Sequence, residues 1–578
     1  MKLTAVGIFL AVVSIGFAGC QSDPADPPPA RPQQAAFHAV GAVLTHHNDN
    51  SRTGQNLHET ILTPSNVSAD TFGLAGKLWV TGSVDAQPLY LPNLPIGGAL
   101  HNVVFVATEH GVLYAFDADT LSQLWQTSVI PPTEKPSDDH NCAQVTPEIG
   151  ITATPVIDPS AGPNGTIFVV AMSKDAAGKY HHRLHALDLV THAELNGGPV
   201  EIKASYRNLA GPLPFDPGQY EARSALLLAN GTIYIGWSSH CDVQPYTGWI
   251  MAYNASTLRQ TGVLDVTPNG GAGGVWMSGG GMAADSAGNI FLLDGNGTFD
   301  PAVDAAGMPV CGDFGNAFLR LAFDGNGLRV ADYFAAHNTP ANSLQDRDLG
   351  SGGVVLLPDL KDDSGKTRHL AVGAGKADFD TGRPIIYVVD RDAMGKFDPN
   401  IDHLYQKVMA GLGGRDGVFA LPAFFNNTVY YGSQGDFLKA FPIAHAKLAE
   451  RAASRSPARF SYPGTTPSIS ANGSTNAIVW AVEASTPGVL HAYDAANLAR
   501  ELYNSKQAPG GRDQFFENKF ITPMIADGKV FIGTPDSVVV FGLLQPTPSP
   551  GLSRNTRRKH GTFAWAGYTL FARNAPLQ

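Results

Sequence analysis

The chain has 578 residues, 43% of them hydrophobic, and is long enough to bury a large core. Its 63 glycines and 41 prolines, with only 15% charged residues, suit a turn-rich β protein better than a helical or disordered one. A formal charge of −11, spread along the chain, would repel a polyanion and excludes nucleic acid as an expected partner.

Met1 and Lys2 give a short positive start, followed by an apolar stretch from Leu3 to Ala18 that ends in FAGC at Cys20. This has the layout of a signal peptide and is too short for a comfortable membrane span. Small residues before a cysteine resemble the bacterial lipoprotein processing box, with Cys20 as the lipidated residue; plain secretion is the alternative. Residues 21–34, QSDPADPPPARPQQ, read as an extended tether. The expected division is therefore 1–20 signal peptide, 21–40 tether, 41–545 body and 546–578 tail. The expected location is the cell envelope (periplasm or outer membrane), with contact to a membrane only through the lipid, or outside the cell.

The body repeats one unit eight times. Each copy is an apolar strand, a turn, another apolar strand, a polar stretch, and a strand ending in Ala-x-Asp or a relative. The first copy runs through QPLYLPNL, NVVFVAT and GVLYAFDADTLSQLWQ; the seventh contains NAIVWAVEA and VLHAYDAANLARELY. Short β-rich runs between Gly, Asn and Asp turns announce strands and hairpins. Four short strands cannot bury both faces alone, but radial packing of several such sheets does so. The expected fold is all-β, an eight-bladed β-propeller; an array of β-sandwiches is the competing architecture. The eighth copy is one strand short, and Lys77 to Val80 is placed to complete it and close the ring. The Asp of AFDAD, ALDLV and AYDAA is expected to bond turn amides.

After Cys20 only Cys142, Cys241 and Cys311 remain, so one disulfide is possible and spacing does not name its partners. There is no CxxC and no CxxCH, which argues against a cysteine zinc site and against an attached c-type haem. The group His181, His182 and His185 reads as a surface feature of a strand, and His46, His47 and Asp49 as partners of loop backbone.

Trp125 after AFDADTLSQL matches the repeat of the pyrroloquinoline quinone (PQQ) propellers, and the resemblance covers about His46 to Leu544. Several stretches resemble the quinoprotein alcohol dehydrogenases in order along the chain: NDNSRTGQNLHETILTPSNV, VDAQPLYL, GGVWMSGGGMAADSAGNIFLLDGNGTFD and GKADFDTGRPIIYVVDRDAMGKF. The chain looks closer to a group of exported PQQ-repeat proteins, named only for their repeats, than to a working quinoprotein alcohol dehydrogenase family. In that family the quinone lies on a Trp floor, calcium polarises its carbonyl, and an Asp takes the substrate proton.

By resemblance Trp276 is the floor and Asn296 a calcium ligand. Asp242, in GWSSHCDVQPYTGW, is nearest to the family's calcium-binding Glu, and Asp348 is the third ligand. Asp346 or Asp348, in QDRDLGSGG, is the base, while Lys376 and Asp85 contact the quinone. The sequence departs from the family in lacking the adjacent Cys-Cys pair, the Arg of the Glu-containing segment and a Gly-Asn-Trp stretch. Two functions follow. One is a non-catalytic envelope propeller that scaffolds or binds a protein or glycan. The other is a PQQ- and calcium-dependent dehydrogenase of an alcohol or sugar that passes electrons to a separate cytochrome. A monomer is expected in both.

If Cys20 is the lipidated residue, cells fed a radioactive fatty acid label the wild-type protein and leave Cys20→Ser unlabelled. Equal labelling of the two removes the lipoprotein reading and leaves secretion.

Overall fold

The computed structural model describes residues 40–544 apart from 325, 326, 410 and 415. Cys20, the tether and the tail therefore lie outside the described residues. Eight antiparallel sheets follow one another along the chain. Blades 1 to 7 occupy residues 89–128, 156–201, 227–265, 283–334, 354–408, 423–460 and 468–504. Blade 8 takes three strands from 524–543, and its fourth is Phe72–Trp79. That strand pairs antiparallel with Ser537–Leu543, Phe72 opposite Leu543 and Trp79 opposite Ser537. The ring is thus closed by the segment the repeat count had left over, and no blade keeps an open edge at the seam.

The strands are apolar on both sides because both faces of every blade are covered. In blade 4, Ile290 and Leu292 pack toward blade 3, while Phe291 and Leu293 pack toward blade 5. Side chains that alternate across a strand but are buried on both faces read as one continuous apolar run. Eight hydrophobic clusters each straddle one pair of neighbouring blades, the last joining blade 8 to blade 1 through Leu78, Val104, Phe531 and Val538. The core is a circle of interfaces rather than one central mass.

The repeat's polar marks have local work. Asp117 accepts the amides of Asp119 and Thr120 at 3.0 and 2.7 Å, and Asp188 those of Val190 and Thr191 at 3.0 and 2.8 Å. Trp125 donates its indole N–H to the Leu189 carbonyl, 3.1 Å away in the matching turn of blade 2. Both pin one blade's outer turn to itself or to its neighbour.

The innermost strand of each blade is satisfied by residues 43–56, which meet all eight in turn. Val43 pairs with Tyr90 of blade 1, and the Leu44 carbonyl accepts Ile157 of blade 2. The Asn50 side chain reaches Leu228 of blade 3. The carbonyls of Asn50, Ser51, Thr53 and Gly54 accept the amides of Ala284, Leu356, Phe424 and Ile469 from blades 4 to 7. Asn56 reaches Ile525 of blade 8 at 2.9 Å. Arg52 sits wholly buried among them and donates to the carbonyls of Met282, His46 and Leu226 and to the Thr45 hydroxyl. Burial, partly offset by Asp49, pulls its pKa down to about 10. The His47 ring bonds the Arg52 and Pro467 carbonyls, so it partners backbone as expected.

Deleting residues 70–85 opens the ring at blade 8 and is expected to lower the stability of the whole propeller; an unchanged, cooperative urea transition would remove closure at this strand. Arg52→Met leaves several buried carbonyls without a donor and is expected to cost about 3–5 kcal/mol in denaturant titration. Arg52→Lys is not expected to restore it, because one ammonium cannot span the four acceptors.

Candidate functional site

Two kinds of loop meet at one end of the ring. Asp242, Asn296 and Lys376 occupy the same loop, between second and third strands, in the successive blades 3, 4 and 5. Trp276, Asp348 and Phe419 stand in the connections that lead into blades 4, 5 and 6. All six line one cavity of about 260 Å³, to which Cys142 and Tyr462 are added from further round the ring. A cavity touched by loops from blades spread round the circle lies at its axis.

Close backbone approach makes the loops converge. Gly350 has the Asp294 carbonyl carbon 2.4 Å from where a Cβ would stand, and Gly417, at φ +129°, has the Lys376 Cα at 2.3 Å. The Lys376 amide donates to the Asp348 carbonyl at 2.7 Å, so the two residues are fixed to each other by main chain as well as side chain. Trp276 is followed by Met277, Ser278 and Gly279 with φ of 46, 54 and 84°. Three left-handed residues in a row turn the chain sharply and leave Trp276 partly open to the cavity. Its ring stands edge-on to Phe520, centroids 4.9 Å apart, and Tyr462 meets the same Phe520 at 5.9 Å.

The charged centre is a triad. Lys376 Nζ lies 2.6 Å from Asp348 Oδ2 and 2.7 Å from Asp346 Oδ1. The other Asp348 oxygen accepts the Asn296 amide at 2.6 Å, and the Asn296 side chain donates to Asp346 at 3.2 Å. Burial, which outweighs the pull of Lys376, raises the Asp348 pKa. Burial acts against the charge of Lys376, but Asp348 and Asp346 together outweigh it and raise the lysine's pKa. Asp346 is 67% exposed and does not line the cavity, whereas Asp348 does, at 14%. Asp242 is exposed and accepts the Tyr246 hydroxyl at 2.7 Å.

Asp85 stands apart from these. It is buried, accepts the Asn518 side chain at 3.0 Å, and lies beside Glu109 rather than in the cavity lining. Glu221 and Ser238 do line the cavity, and both have an oxygen with no hydrogen-bond partner. Neither carries a motif; Glu221 follows a tyrosine in an unremarked stretch, YEARS, and only its burial singles it out. Cys142 and Cys241 are joined across 99 residues and both line the cavity, while Cys311 is free. The bridge ties the loop after blade 1 to the blade 3 loop that carries Asp242. Among the described residues no group of three His, Cys, Asp or Glu is placed to hold a metal ion alone. The histidines of 181–185 are buried rather than on the surface as expected, and they are occupied: His181 pairs with Glu201 at 2.7 Å, His185 with Glu194 at 2.5 Å, and His182 bonds main-chain carbonyls.

No family model matches the chain, and no curated protein does. Among solved structures it is similar to quinohemoprotein alcohol dehydrogenase ADHIIG from Pseudomonas putida HK5. That match has 15% identity and a TM-score of 0.58, and covers 88% of this chain and 82% of that one. It is similar also to quinohemoprotein alcohol dehydrogenase from Comamonas testosteroni, at 15% identity and a TM-score of 0.54, over 88% and 81% of the two chains. At that identity the likeness is one of fold: the chain is an all-β, eight-bladed propeller of the quinoprotein alcohol dehydrogenase-like architecture.

Proposed function

We propose that this propeller is a PQQ- and calcium-dependent oxidoreductase of the cell envelope that oxidises an alcohol or sugar and hands electrons to a separate cytochrome. The observation that carries the reading is the meeting of Trp276, Asp242, Asn296, Asp348 and Lys376, from three successive blades and the loops between them, on one cavity.

The donor set fits the two groups. Asp242, Asn296 and Asp348 offer hard oxygen ligands, and a cation held by only two carboxylates and an amide needs further oxygens, which a quinone supplies. Trp276, partly open to the cavity, offers an aromatic face, and the Cys142–Cys241 bridge also lines the cavity in a chain that lacks the adjacent cysteine pair of the resemblance. Bound there, the quinone supplies the two-electron acceptor and calcium the Lewis acid.

The chain's own residues divide the remaining work. Asp348 takes the proton of the substrate hydroxyl, because of the two candidate acids its carboxylate is the one that lines the cavity. Lys376 holds Asp348 in place and presents its positive charge to the cofactor's oxygens. Asp346, outside the cavity, anchors the far side of Lys376, which takes it out of contention as the base. A disulfide suits an oxidising compartment, in keeping with the export expected from residues 1–20.

Purified protein titrated with PQQ and calcium in a calorimeter is expected to bind at micromolar concentration or better. Asn296→Ala is expected to weaken calcium-dependent binding at least tenfold, and Asp348→Asn to lower dye-linked alcohol oxidation by about 100-fold or more. No quinone binding at micromolar concentration with the fold intact would leave the non-catalytic binding propeller.

A further inference from the structure

The cavity is short of positive charge for an anionic ligand. Among the described residues Lys376 is the one lysine or arginine that lines it, and that ammonium already contacts two carboxylates. Facing the cavity from the strand Tyr220–Glu221, Glu221 is 4% exposed, and its Oε1 has no partner. Its closest ion-pair contact is His240 Nδ1 at 3.9 Å, and burial holds that ring neutral by lowering its pKa to about 3. Behind it Glu109 stands beside Asp85; burial first, and then the Asp85 charge, raise the Glu109 pKa to about 10, and each of the two has an unpartnered buried oxygen. Among the described residues, Arg223 is the cation that acts on Glu221. It donates to the Thr152 carbonyl at 3.0 Å and does not reach the lining. Ser238, 5% exposed, brings an unpartnered hydroxyl into the same wall.

A tricarboxylate such as PQQ cannot rest against an ionised, unpaired glutamate. It can rest against a carboxylic acid, which is a hydrogen-bond donor. We infer that Glu221 enters the cavity as a neutral carboxylic acid and, with the Ser238 hydroxyl, donates hydrogen bonds to a carboxylate of the bound ligand. The assignment rests on the quinone reading above. The groups that face Glu221 agree with it. Burial raises its pKa most, Asp85 adds to the rise, Arg223 and a hydrogen bond with Thr152 oppose it, and the result is about 7.

The sign of the pH effect follows. Below about 7 Glu221 carries its proton and binds the anion; above it the ionised form repels the anion or must first be protonated. PQQ affinity, measured by calorimetry with calcium present, is expected to be constant near pH 6 and to weaken about tenfold per pH unit above 7. Glu221→Gln keeps a donor of similar shape and does not titrate, so its affinity is expected to match the wild type at pH 6 and to hold at pH 8.5. A wild-type affinity that does not change with pH, or a Glu221→Gln protein that loses affinity in parallel with the wild type, overturns the assignment. In the ligand-free protein the infrared band of a protonated carboxyl is expected at pH 6 and is expected to be diminished in Glu221→Gln. An unchanged band overturns the neutral acid whatever the ligand. Failure of both proteins to bind PQQ at either pH, with the band behaving as expected, overturns the cofactor reading and this choice of ligand with it.

Discussion

Everything at the axis depends on the segment 43–56. A propeller blade has an inner edge strand with unpaired backbone groups pointing at the centre, and eight of them meet there. One passing chain segment makes at least one hydrogen bond to each of the eight innermost strands, and Arg52 adds bonds to loops leading into blades 3 and 4. Each such bond contributes roughly 0.5–1.5 kcal/mol net. Their larger effect is geometric, because they fix all eight blades against one reference.

That reference is what lets single residues from separate blades form a site. Asn296, Asp348 and Lys376 come from three different loops and still meet within hydrogen-bonding distance. Their positions are set by backbone contacts, Lys376 to Asp348 and Gly417 to Lys376, before any side chain is considered. The disulfide adds a covalent tie between the loops at Cys142 and Cys241, and closing a loop of this length is worth up to about 5 kcal/mol to the folded state in the chain-entropy limit. Ligand-binding side chains on loops are usually the least fixed part of a fold; here main chain, ion pairs and a disulfide hold them.

The blades were legible in the sequence because both faces of each are buried, and strands such as IFLL and VVVFGL have no polar position to confuse the period. The closing strand was legible by counting, since the eighth copy lacked one. The hub was not. It works through the carbonyls of Asn50, Ser51, Thr53 and Gly54, and a carbonyl is the same in every residue. The cavity residues that resemblance named gathered as a group because they occupy equivalent loops of successive repeats. Asp85 did not join them, for its side chain is held by Asn518 and stands beside Glu109 in the wall behind. Glu221 escaped notice because nothing in its neighbours' identities records that it is buried, and the pairing of Cys142 with Cys241 escaped because spacing in a repeat protein does not record which loops the ring brings together.

The cavity's charge also orders how its ligands can be accepted. Glu221, Asp242 and Asp348 face it against Lys376, so with every acid ionised the lining is negative. An anionic cofactor arriving first meets repulsion at short range, where low dielectric makes each unit charge count for more than in water. A proton on Glu221 removes one negative charge, and a divalent cation among Asp242, Asn296 and Asp348 more than cancels the rest. On the proposed reading, cation and quinone therefore bind cooperatively, each being the other's missing charge. On the same reading the neutral acid would keep the wall from opposing the pair, and Lys376, held by Asp346 from outside, would meet the quinone's oxygens.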